Sequence, residues 1–495
     1  MVARLLVLIT IVALATASPA VGQGSGVRHP LTQKPEVAAA LTVLDAWIAA
    51  TVVQREQPGL SIGIVYDQDL IWARGYGYAD LERRVAATPT TIYRIASISK
   101  LFTTTAIMQL RDAGKLRLDD PVAERLPWFS IERPSQDGPP ITIRHLLTHT
   151  SGLPRDVQGV NWTAATFPTR DDMMRNLPNQ NTVFPPDSQW KYSNLAVTLA
   201  GEIVAQVSGE SWAEYIERHV LQPLGMTATR TAPAVDLPGL AVGYSRRVPG
   251  QPREVEPFVT VGAISPAGSL ASSVEDLAKF VSLQFRSGPA QGSQILQGST
   301  LREMHRVQWL NADWQGGWGL GFRIRHVGSQ LRVGHGGSLP GHATQIEIAP
   351  EQKLGVIVLT NANDGDGLRY VDQVFELVGP AIAKVTASPD TPKAVPAAWQ
   401  GYVGQYVASA CATCAYKFDE MQIQILNGEL TMIVPDAENP WTSRVILMPV
   451  SSNTFTITSP GFSYDEVGEL LTFDVGGGGN VTRVRTPYIT WVPKR

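Results

Sequence analysis

Cysteine, charge and long hydrophobic runs are all scarce in this chain of 495 residues. Charged side chains make up only 17% of the sequence, and the net charge at pH 7 is −3 with no long basic run. Such a surface lacks the cationic patch that nucleic acids or anionic lipids require, so neither is an expected partner. Apolar residues reach 44%, enough for a large core, and the length predicts two or three domains.

The only cysteines in the sequence are Cys411 and Cys414. Two thiolates alone cannot complete a structural zinc site, which needs further ligands. A redox-active Cys-x-x-Cys pair belongs in a thioredoxin-like βαβ unit, whereas the sequence around these residues has the alternation of strands. The remaining alternatives are a local structural disulfide, which we favour, and two free thiols. No metal is expected.

The first 23 residues have the composition of a secretory signal peptide. Arg4 supplies the positive start, residues 5–15 are apolar apart from Thr10, and small residues follow at 15–17 and 20–22. The alternative is a membrane anchor, but the apolar run is only about half the length of a spanning helix. We therefore expect an exported protein, periplasmic or secreted, with no integral membrane segment after signal removal.

The rest of the chain begins with a mixed α/β pattern. Strand patterns at 61–66 and 70–76 precede a long helical pattern, and residues 115–315 contain mostly helical segments and loops rich in proline and glycine. Strand patterns return at 319–326, 331–335, 343–348 and 354–360, and a helix pattern follows at 370–377. Strands at both ends predict one sheet that the chain completes after a helical insertion, so the fold class is α+β.

A proline-rich segment separates this part from an all-β part. Residues 385–396 contain three prolines and no periodicity, which is typical of a linker. Beyond it, Asn427-Gly428 lies between alternating apolar residues, a strong hairpin signal. We therefore predict a signal peptide at 1–23, a first domain at 36–384, a linker at 385–396, and a small β-barrel or sandwich at 397–495.

The strongest chemical signal is a serine three residues before a lysine, Ser97 and Lys100. A serine hydroxyl is a poor nucleophile without a base within hydrogen-bond reach. Apolar residues recur every four positions after Ser97, which predicts a helix that Gly114 ends. Residues i and i+3 share a helix face, so the Lys100 amine would lie beside the Ser97 hydroxyl. The first-turn N–H groups would favour negative charge there.

The same spacing occurs at Ser188 and Lys191, so the pattern alone does not identify the nucleophile. Ser97 opens a long helix, whereas Ser188 follows two prolines in a loop, which favours Ser97. Tyr192 and Asn194 come directly after the second pair and supply a phenol and an amide. A phenol is a suitable proton shuttle where nearby cations lower its pKa, although such a pair also occurs in ordinary turns.

A glycine-rich strand end at residues 334–338 is the third chemical element. Gly336 and Gly337 would let a substrate backbone approach closely, and the strand edge offers backbone groups to an ester or amide. His335 precedes them, and a histidine there is as typical of packing as of catalysis. Ser338 completes the segment.

In three motifs, taken in order, the chain resembles the class C β-lactamase, DD-peptidase, D-aminopeptidase and esterase group of penicillin-recognising serine hydrolases. The motifs are Ser97-x-x-Lys100, Tyr192-x-Asn194 and His335-Gly336-Gly337. Supporting stretches lie at 142–154, 223–226, 267–268 and 317–322, and the resemblance covers about residues 38–385. It implies an α/β sandwich with an inserted helical domain, and the all-β part resembles the lipocalin-like domains appended to such hydrolases.

The resemblance also implies a role for each residue. Ser97 would attack a carbonyl carbon, while Lys100 and Tyr192 would accept its proton and return it to the leaving group. Asn194 would hold the substrate or Lys100. The backbone N–H groups of Ser97 and Ser338 would bind the oxyanion. The resemblance implies no metal and no cofactor.

One difference from the β-lactamases of this group bears on specificity. They carry Lys-Thr-Gly where this chain has His335-Gly336-Gly337, and the missing charge and hydroxyl help to hold a substrate carboxylate. We therefore expect an acyl-enzyme hydrolase of small esters, amides or short peptides, with β-lactams and peptidoglycan fragments as the alternative substrates. A penicillin-binding sensor and a non-catalytic scaffold are the alternatives of another class.

Overall fold

The computed structural model describes residues 29–134, 138–328, 330–387, 395–411, 420–435, 439, 444–458 and 467–494. The signal peptide predicted at 1–23 lies outside the described residues, as do Cys414, the side chain of Cys411 and most of the predicted linker. The chain divides into two compact units, the first ending at Thr386 and the second beginning at Ala387.

The first unit is built on an antiparallel sheet whose strands come from both ends of its sequence. Its described strands are β1 (Gly59–Tyr66), β2 (Asp69–Asp80), β3 (Val85–Ala86), β4 (Tyr93–Arg94), β5 (Ala271–Ser272), β6 (Trp309–Leu310), β7 (Gly316–Trp318), β8 (Arg323–Val327), β9 (Gln330–Leu339), β10 (His342–Ala349) and β11 (Leu354–Thr360). The sheet order is β3-β2-β1-β11-β10-β9-β8-β7-β6, and β4 pairs separately with β5. The predicted single sheet, completed by the return of the chain, is confirmed.

Helices flank this sheet and fill most of the sequence between β4 and β6. The α-helices described are α1 (Pro35–Gln54), α2 (Ser99–Asp112), α3 (Val122–Arg125), α4 (Ile143–Thr148), α5 (Arg170–Asn176), α6 (Asn194–Ser208), α7 (Trp212–Ile216), α8 (Gln222–Leu224), α9 (Ser265–Gly268), α10 (Val274–Leu283), α11 (Gly298–His305) and α12 (Gly367–Thr386). Shorter 3-10 turns occur at Pro30–Gln33, Ala96–Ile98, Leu177–Asn179 and Gly262–Ile264, and Glu217–Leu221 is a π-helical turn. The helical insertion expected between the two sets of strands is therefore present.

The helices α1 and α12 cover one face of the sheet. Leu44 and Ile48 of α1 are fully buried in a core with Ile62 of β1 and Val358 of β11. Among the described residues, α1 alone is long and apolar enough to cross a membrane, judged by length and composition only. Its apolar side chains are already used in this core.

On the opposite face α10 packs directly on the sheet, because two glycines leave room for it. A Cβ atom added at Gly63 would lie 2.4 Å from Val274 Cγ1, and one added at Gly355 would lie 2.4 Å from Val281 Cγ1. Either side chain would push the helix outward, so the close layer depends on both glycines. This core continues into the helical insertion through α2 and α6.

Three local predictions differ from the structure. Of the strand predicted at 319–326, only the second half is a strand, β8, because residues 319–322 form the turn that joins β7 to β8, with Gly321 at φ +77°. The helix predicted at 370–377 runs from Gly367 to Thr386, so the first two residues of the predicted linker are helical. The capping-box pattern of residues 272–275 predicts a helix start with Ser272 as N-cap, but α10 begins one residue later, with Ser273 as its N-cap.

The second unit is a closed antiparallel barrel. Its described strands, β12 (Gly404–Cys411), β13 (Glu420–Leu426), β14 (Glu429–Ile433), β15 (Val445–Pro449), β16 (Thr454–Ile457), β17 (Leu470–Val475), β18 (Val481–Arg485) and β19 (Ile489–Pro493), pair in chain order, and β19 returns to β12. The predicted Asn427-Gly428 hairpin joins β13 to β14 with positive φ at both residues, as a tight hairpin turn requires. An up-and-down closed barrel is the architecture of lipocalin-like domains.

Candidate active site

Ser97 lies in a 3-10 turn that ends one residue before α2 begins. Ala96, just before it, has φ +48°, which is uncommon for a residue with a side chain. Ser99 supports the turn from behind, since its hydroxyl accepts a hydrogen bond from the Leu270 N–H at 3.0 Å. The sequence placed Ser97 at the opening of the helix itself; in the structure it precedes that helix on a strained turn, a feature found often at functional sites.

Lys100 is 1% exposed and lies directly beside Ser97. Its Nζ atom is 3.0 Å from Ser97 Oγ and donates a hydrogen bond to the Ala267 carbonyl at 2.7 Å. Burial holds the pKa of Lys100 well below its usual value; the charge of Asp156 acts against this shift and that of Arg155 adds to it. A lysine with so low a pKa is neutral over more of the pH range, and a neutral amine can accept a proton.

Tyr192 completes a three-residue cluster, because it lines the same cavity as Ser97 and its ring centroid lies 5.0 Å from Lys100 Nζ. His149 holds the tyrosine from both sides: its carbonyl accepts the Lys191 N–H at 2.8 Å, and its Nδ1 accepts the Ser193 N–H at 3.2 Å. The ring centroids of His149 and Tyr192 are 4.5 Å apart. His149 thus contributes contacts that its sequence neighbourhood did not reveal.

The electrostatics of Tyr192 differ from the sequence prediction. A lowered pKa was expected from nearby cations, but burial raises the pKa of this phenol; the hydrogen bond to Ser97 and the charge of Arg155 oppose the rise only in part. The phenol is therefore protonated at neutral pH. It is suited to donating a proton and not to accepting one as a phenolate.

Asn194 is buried, and its side-chain amide is bound to Asp156. Its Nδ2 donates to Asp156 Oδ1 at 2.7 Å, and its side chain does not line the cavity at Ser97. The hydrogen bond to Lys100 that the resemblance implies as one alternative is not among the described contacts of Asn194. The amide instead fixes the carboxylate of Asp156, whose charge acts on the pKa of Lys100.

The glycine-rich segment of β9 forms one wall of a cavity of about 480 Å³ that also contains Ser97 and Tyr192. His335, Gly336, Gly337 and Ser338 all line it. His335 Nδ1 lies 2.6 Å from the Gly336 carbonyl, and its Nε2 atom is buried without a hydrogen-bond partner. Burial, aided by the charge of Lys100, lowers the pKa of His335 to about 3, so this side chain is neutral.

Gly337 has no room for a side chain. A Cβ atom there would lie 2.2 Å from the Ile95 carbonyl and 2.4 Å from Thr344 Oγ1. A Cβ atom at Gly336 would meet Gln345 Oε1 at 2.8 Å, which is the movable end of a side chain. The second glycine is therefore needed to let β9 approach the backbone two residues before Ser97.

The second serine–lysine pair is arranged differently. The Ser188 hydroxyl is exposed and donates to the Pro185 carbonyl at 2.7 Å. Neither Ser188 nor Lys191 lines the cavity, and the two side chains make no hydrogen bond with each other. The structure thus brings together Ser97, Lys100, Tyr192 and the β9 segment, and it leaves Ser188 and Asn194 apart from them.

Several cavity residues were missed by sequence reasoning. Arg155 and Arg323 supply two cations, and Trp318 supplies an aromatic surface that stacks on Trp190 at 5.3 Å. Arg323 Nη2 lies 3.9 Å from Glu347 Oε2 and is buried without a hydrogen-bond partner. Arg155 directly follows the stretch 142–154 and Arg323 the stretch 317–322, both of which carried the resemblance. That position was the only sequence signal that could have pointed to the two arginines.

No group of three or more His, Cys, Asp or Glu side chains that could hold a metal ion occurs among the described residues. The side chains gathered at Ser97 supply a serine hydroxyl, an amine whose pKa is lowered by burial, and a protonated phenol. These groups, in a cavity that two arginines also line, suit nucleophilic attack on a polarised carbonyl.

Comparisons with known proteins show which family the chain matches. Residues 44–378 match the family model described as Beta-lactamase. Protein flp of Staphylococcus aureus (strain COL) is 30% identical over 325 residues, which are 64% of this chain and 62% of that protein. This chain therefore spans less than two thirds of the length of that curated relative.

Two solved structures are similar in fold. The octameric penicillin-binding protein homologue from Pyrococcus abyssi has a TM-score of 0.59 at 25% identity, covering 91% of this chain and 99% of its own. EstCE1, a hydrolase with promiscuous acyltransferase activity, has a TM-score of 0.59 at 24% identity, covering 69% of this chain and 98% of its own. The second likeness, at its lower identity, concerns the fold alone.

Proposed function

This chain belongs to the beta-lactamase family, and on that premise we propose that it is a serine hydrolase that cleaves esters or amides through an acyl-enzyme on Ser97. One observation carries the proposal: a buried lysine amine with a depressed pKa lies 3.0 Å from a serine hydroxyl that lines a cavity. A serine becomes a nucleophile when a base of this kind is within hydrogen-bond reach.

In the first step, neutral Lys100 accepts the Ser97 proton as Oγ bonds to the substrate carbonyl carbon. The electron pair of the carbonyl double bond moves to its oxygen, which becomes an oxyanion. We assign its stabilisation to the backbone N–H groups of Ser97 and Ser338, both of which belong to residues that line the cavity. His335 also lines the cavity but is neutral, so it brings no charge to the oxyanion.

In the second step, the carbonyl reforms and the bond to the leaving group breaks. The protonated phenol of Tyr192 gives its proton to the departing alkoxide or amine, and Lys100 returns a proton to Tyr192. Water then attacks the acyl-enzyme with the same base, releasing a carboxylic acid and restoring Ser97. The raised pKa of Tyr192 supports the role of acid, and the lowered pKa of Lys100 supports the role of base.

A second candidate function is hydrolysis of substrates that carry a carboxylate, such as β-lactams or peptides with a free C-terminus. The specific observation in its favour is Arg323, which lines the cavity and has a guanidinium nitrogen without a hydrogen-bond partner. Arginine binds carboxylates through paired N–H donors. Such a cation could replace the charge that His335 does not supply.

A matched substrate panel separates the two candidates. Short-chain esters, D-aminoacyl amides, peptides ending in D-alanine and penicillins would be compared by kcat/KM on wild type, Arg323→Met and Arg155→Met. If the site favours uncharged substrates, both variants retain most of their activity on simple esters, compared at a pH above the rising limb of each pH profile. If Arg323 anchors a carboxylate, its loss lowers kcat/KM by about tenfold or more on charged substrates only, with Arg155→Met as the matched control.

The same panel also tests the broader proposal. Turnover of at least one substrate class that disappears in Ser97→Ala supports a hydrolase. A stoichiometric burst without steady-state turnover would identify a penicillin-binding sensor instead. No reaction of Ser97 with any acyl donor would leave the non-catalytic scaffold as the correct reading.

A further inference from the structure

A second cavity lies beside β4 and the turn between β9 and β10. It has a volume of about 350 Å³, and Arg94 and His342 are among its lining residues. It shares no lining residue with the cavity at Ser97. Nothing in the mechanism proposed above uses either of these side chains.

Arg94 carries a buried positive charge that no acid neutralises. The residue is 4% exposed, and no carboxylate lies within ion-pair distance of it in the described part of the chain. Its Nη1 donates to the Val259 carbonyl at 2.9 Å, and its guanidinium lies 4.6 Å above the Phe258 ring. The Nε atom has no hydrogen-bond partner.

Two other buried guanidinium groups of this chain have a carboxylate as an ion-pair partner. Arg253, with a side chain 8% exposed, pairs with Asp364 at 2.6 Å, and Arg332, at 6%, pairs with Asp372 at 2.9 Å. Burying an unpaired charge is costly, and proteins normally compensate it with a counter-ion. The open cavity beside Arg94 is where such a counter-ion could bind.

His342 adds a second unused polar group to the same cavity. It is 4% exposed, its Nδ1 atom is buried without a partner, and neither ring nitrogen makes a hydrogen bond with the described residues. Burial, aided by the charge of Arg94, lowers the pKa of this imidazole to about 3. The neutral ring keeps one N–H that can donate to an anion.

The remaining walls of the cavity are mostly apolar. Val235 and Val255 are 70% and 54% exposed, unusually open for their type, and Leu240 and Phe258 lie deeper. Glu256 is the one acidic residue of the lining, and its Oε1 accepts a hydrogen bond from Asn363 Nδ2 at 2.5 Å. One cation, one neutral donor and one acid at the wall favour a single negative charge over a multiply charged anion.

We propose that this cavity is a separate binding site for a small monocarboxylate with an apolar body. The carboxylate would accept hydrogen bonds from Arg94 and His342, and the apolar body would lie against Leu240, Val255 and Phe258. Carboxylic acids are also the products of ester and amide hydrolysis, so the ligand class overlaps with the products of the proposed reaction. Binding at this site requires no turnover and is independent of that reaction.

The direct test is a calorimetric titration with octanoate. The protein carries Ser97→Ala and Arg323→Met, which prevent turnover and remove a cation of the active-site cavity. Saturable binding with a Kd of about 1 mM or tighter is expected. Adding Arg94→Met should weaken binding by about tenfold or more, because a charge-assisted hydrogen bond is lost.

Two further ligands separate the features of the site. Octanamide has the same apolar body without the charge, and inorganic phosphate has the charge without the apolar body. Both should bind at least about tenfold more weakly than octanoate. Equal binding of octanamide would overturn the role of Arg94, and tighter binding of phosphate would overturn the apolar specificity.

A crystal soaked with octanoate covers the case in which Arg94→Met does not fold. The carboxylate should be seen against Arg94 and His342 in the Ser97→Ala, Arg323→Met protein. Octanoate found only at other positions, or no saturable binding up to about 10 mM, would overturn the proposal. Because neither measurement involves catalysis, failure here leaves the proposed hydrolase function untouched, and failure of that function leaves this site untouched.

Discussion

Lys100 is the residue whose protonation state decides whether the proposed reaction can begin. A charged lysine beside Ser97 could only donate to the hydroxyl, whereas a neutral amine can take its proton. The fold favours the neutral form by burying the side chain, whose Nζ has the Ser97 hydroxyl and the Ala267 carbonyl as its hydrogen-bond partners among the described residues. Burial has the opposite effect on the charge state of Tyr192: it raises the pKa of the phenol, which therefore stays protonated.

Loss of either group should slow acylation strongly. Lys100→Ala and Tyr192→Phe are each expected to reduce the acylation rate by about 10²-fold or more, the usual scale for removal of a general acid or base. The double variant should be little slower than the worse single one, because the two act in one proton relay. Stopped-flow acylation with a chromogenic ester measures this, and near-normal acylation of Tyr192→Phe would remove the tyrosine from the mechanism.

The pH profile offers a separate test of the lysine. Because the pKa of Lys100 is depressed, kcat/KM for an uncharged ester should rise with pH as Nζ loses its proton and level off well below pH 10.5. The charge of Arg155 contributes to that depression, so Arg155→Met should move the rising limb to higher pH. Arg323→Met is the control. If the rising limb stays at the same pH in Arg155→Met, Arg155 does not affect the pKa of Lys100.

At the scale of elements, the site depends on how closely β9 approaches the turn at Ser97. Gly337 permits this approach, because a Cβ atom there would lie 2.2 Å from the Ile95 carbonyl. Gly337→Ala should therefore lower kcat/KM by about tenfold or more, as the strand is pushed from the backbone that leads to Ser97. Gly336→Ala is the matched control, since only the movable end of Gln345 opposes it. Equal effects of the two changes would argue against this account.

Elements with strong, uninterrupted patterns were predictable from the sequence, and those that depend on distant contacts were not. β11 was predicted with the bounds it has, because an apolar run between turn residues leaves little choice. The strand predicted at 319–326 was right for residues 323–326, which belong to β8, and wrong for 319–322, because the alternation continues through a turn at Gly321. The capping-box pattern at 272–275 placed the N-cap one residue early: Ser273 accepts the first-turn N–H of Asp276, while the Ser272 hydroxyl is hydrogen-bonded to Thr229, a contact across 43 residues.

In the candidate site, too, local arrangements were predictable from the sequence and long-range contacts were not. Ser97 and Lys100 were brought together by helix geometry, which the sequence encodes locally. Asn194 was assigned by resemblance, but its amide is held by Asp156, a contact across 38 residues that no local pattern reveals. Arg323 likewise becomes visible only when β8 and β9 are paired beside the cavity.

At the scale of the whole molecule, buried neutral histidines tie stability to pH. Burial lowers the pKa of His305 to about 4 and of His335 and His342 to about 3, against 6.5 when unperturbed. The unfolded chain therefore binds more protons than the folded one below pH 6.5. The contribution to stability is fully present above pH 6.5 and is lost as the pH falls toward 4 and 3.

Thermal unfolding midpoints measured from pH 8 to pH 4.5 should accordingly fall on the acid side of pH 6.5. His305→Gln should flatten this fall, because the amide can still pair with Gln284 and has no proton to gain. The exposed His326→Gln is the control and should leave the slope unchanged. An unchanged slope in His305→Gln would exclude that histidine as a source of the pH dependence.

Other whole-chain features stay predictions from the sequence. Export rests on residues 1–23, the linker on residues 385–396, and the disulfide on Cys411 and Cys414. The helical end of α12 at Thr386 already moves the start of any linker to a later position than the sequence suggested. The physical reason is that its apolar face, which includes buried Val378 and Ile382, continues past the point where the local pattern weakens.

Identification of the residue that carries the acyl group tests the central claim most directly. The protein would be treated with a fluorophosphonate probe or a slowly released ester, digested, and mapped by mass spectrometry. We predict one adduct, on Ser97, which disappears in Ser97→Ala without transfer to another residue. An adduct on Ser188, or labelling that persists in Ser97→Ala, would contradict the account.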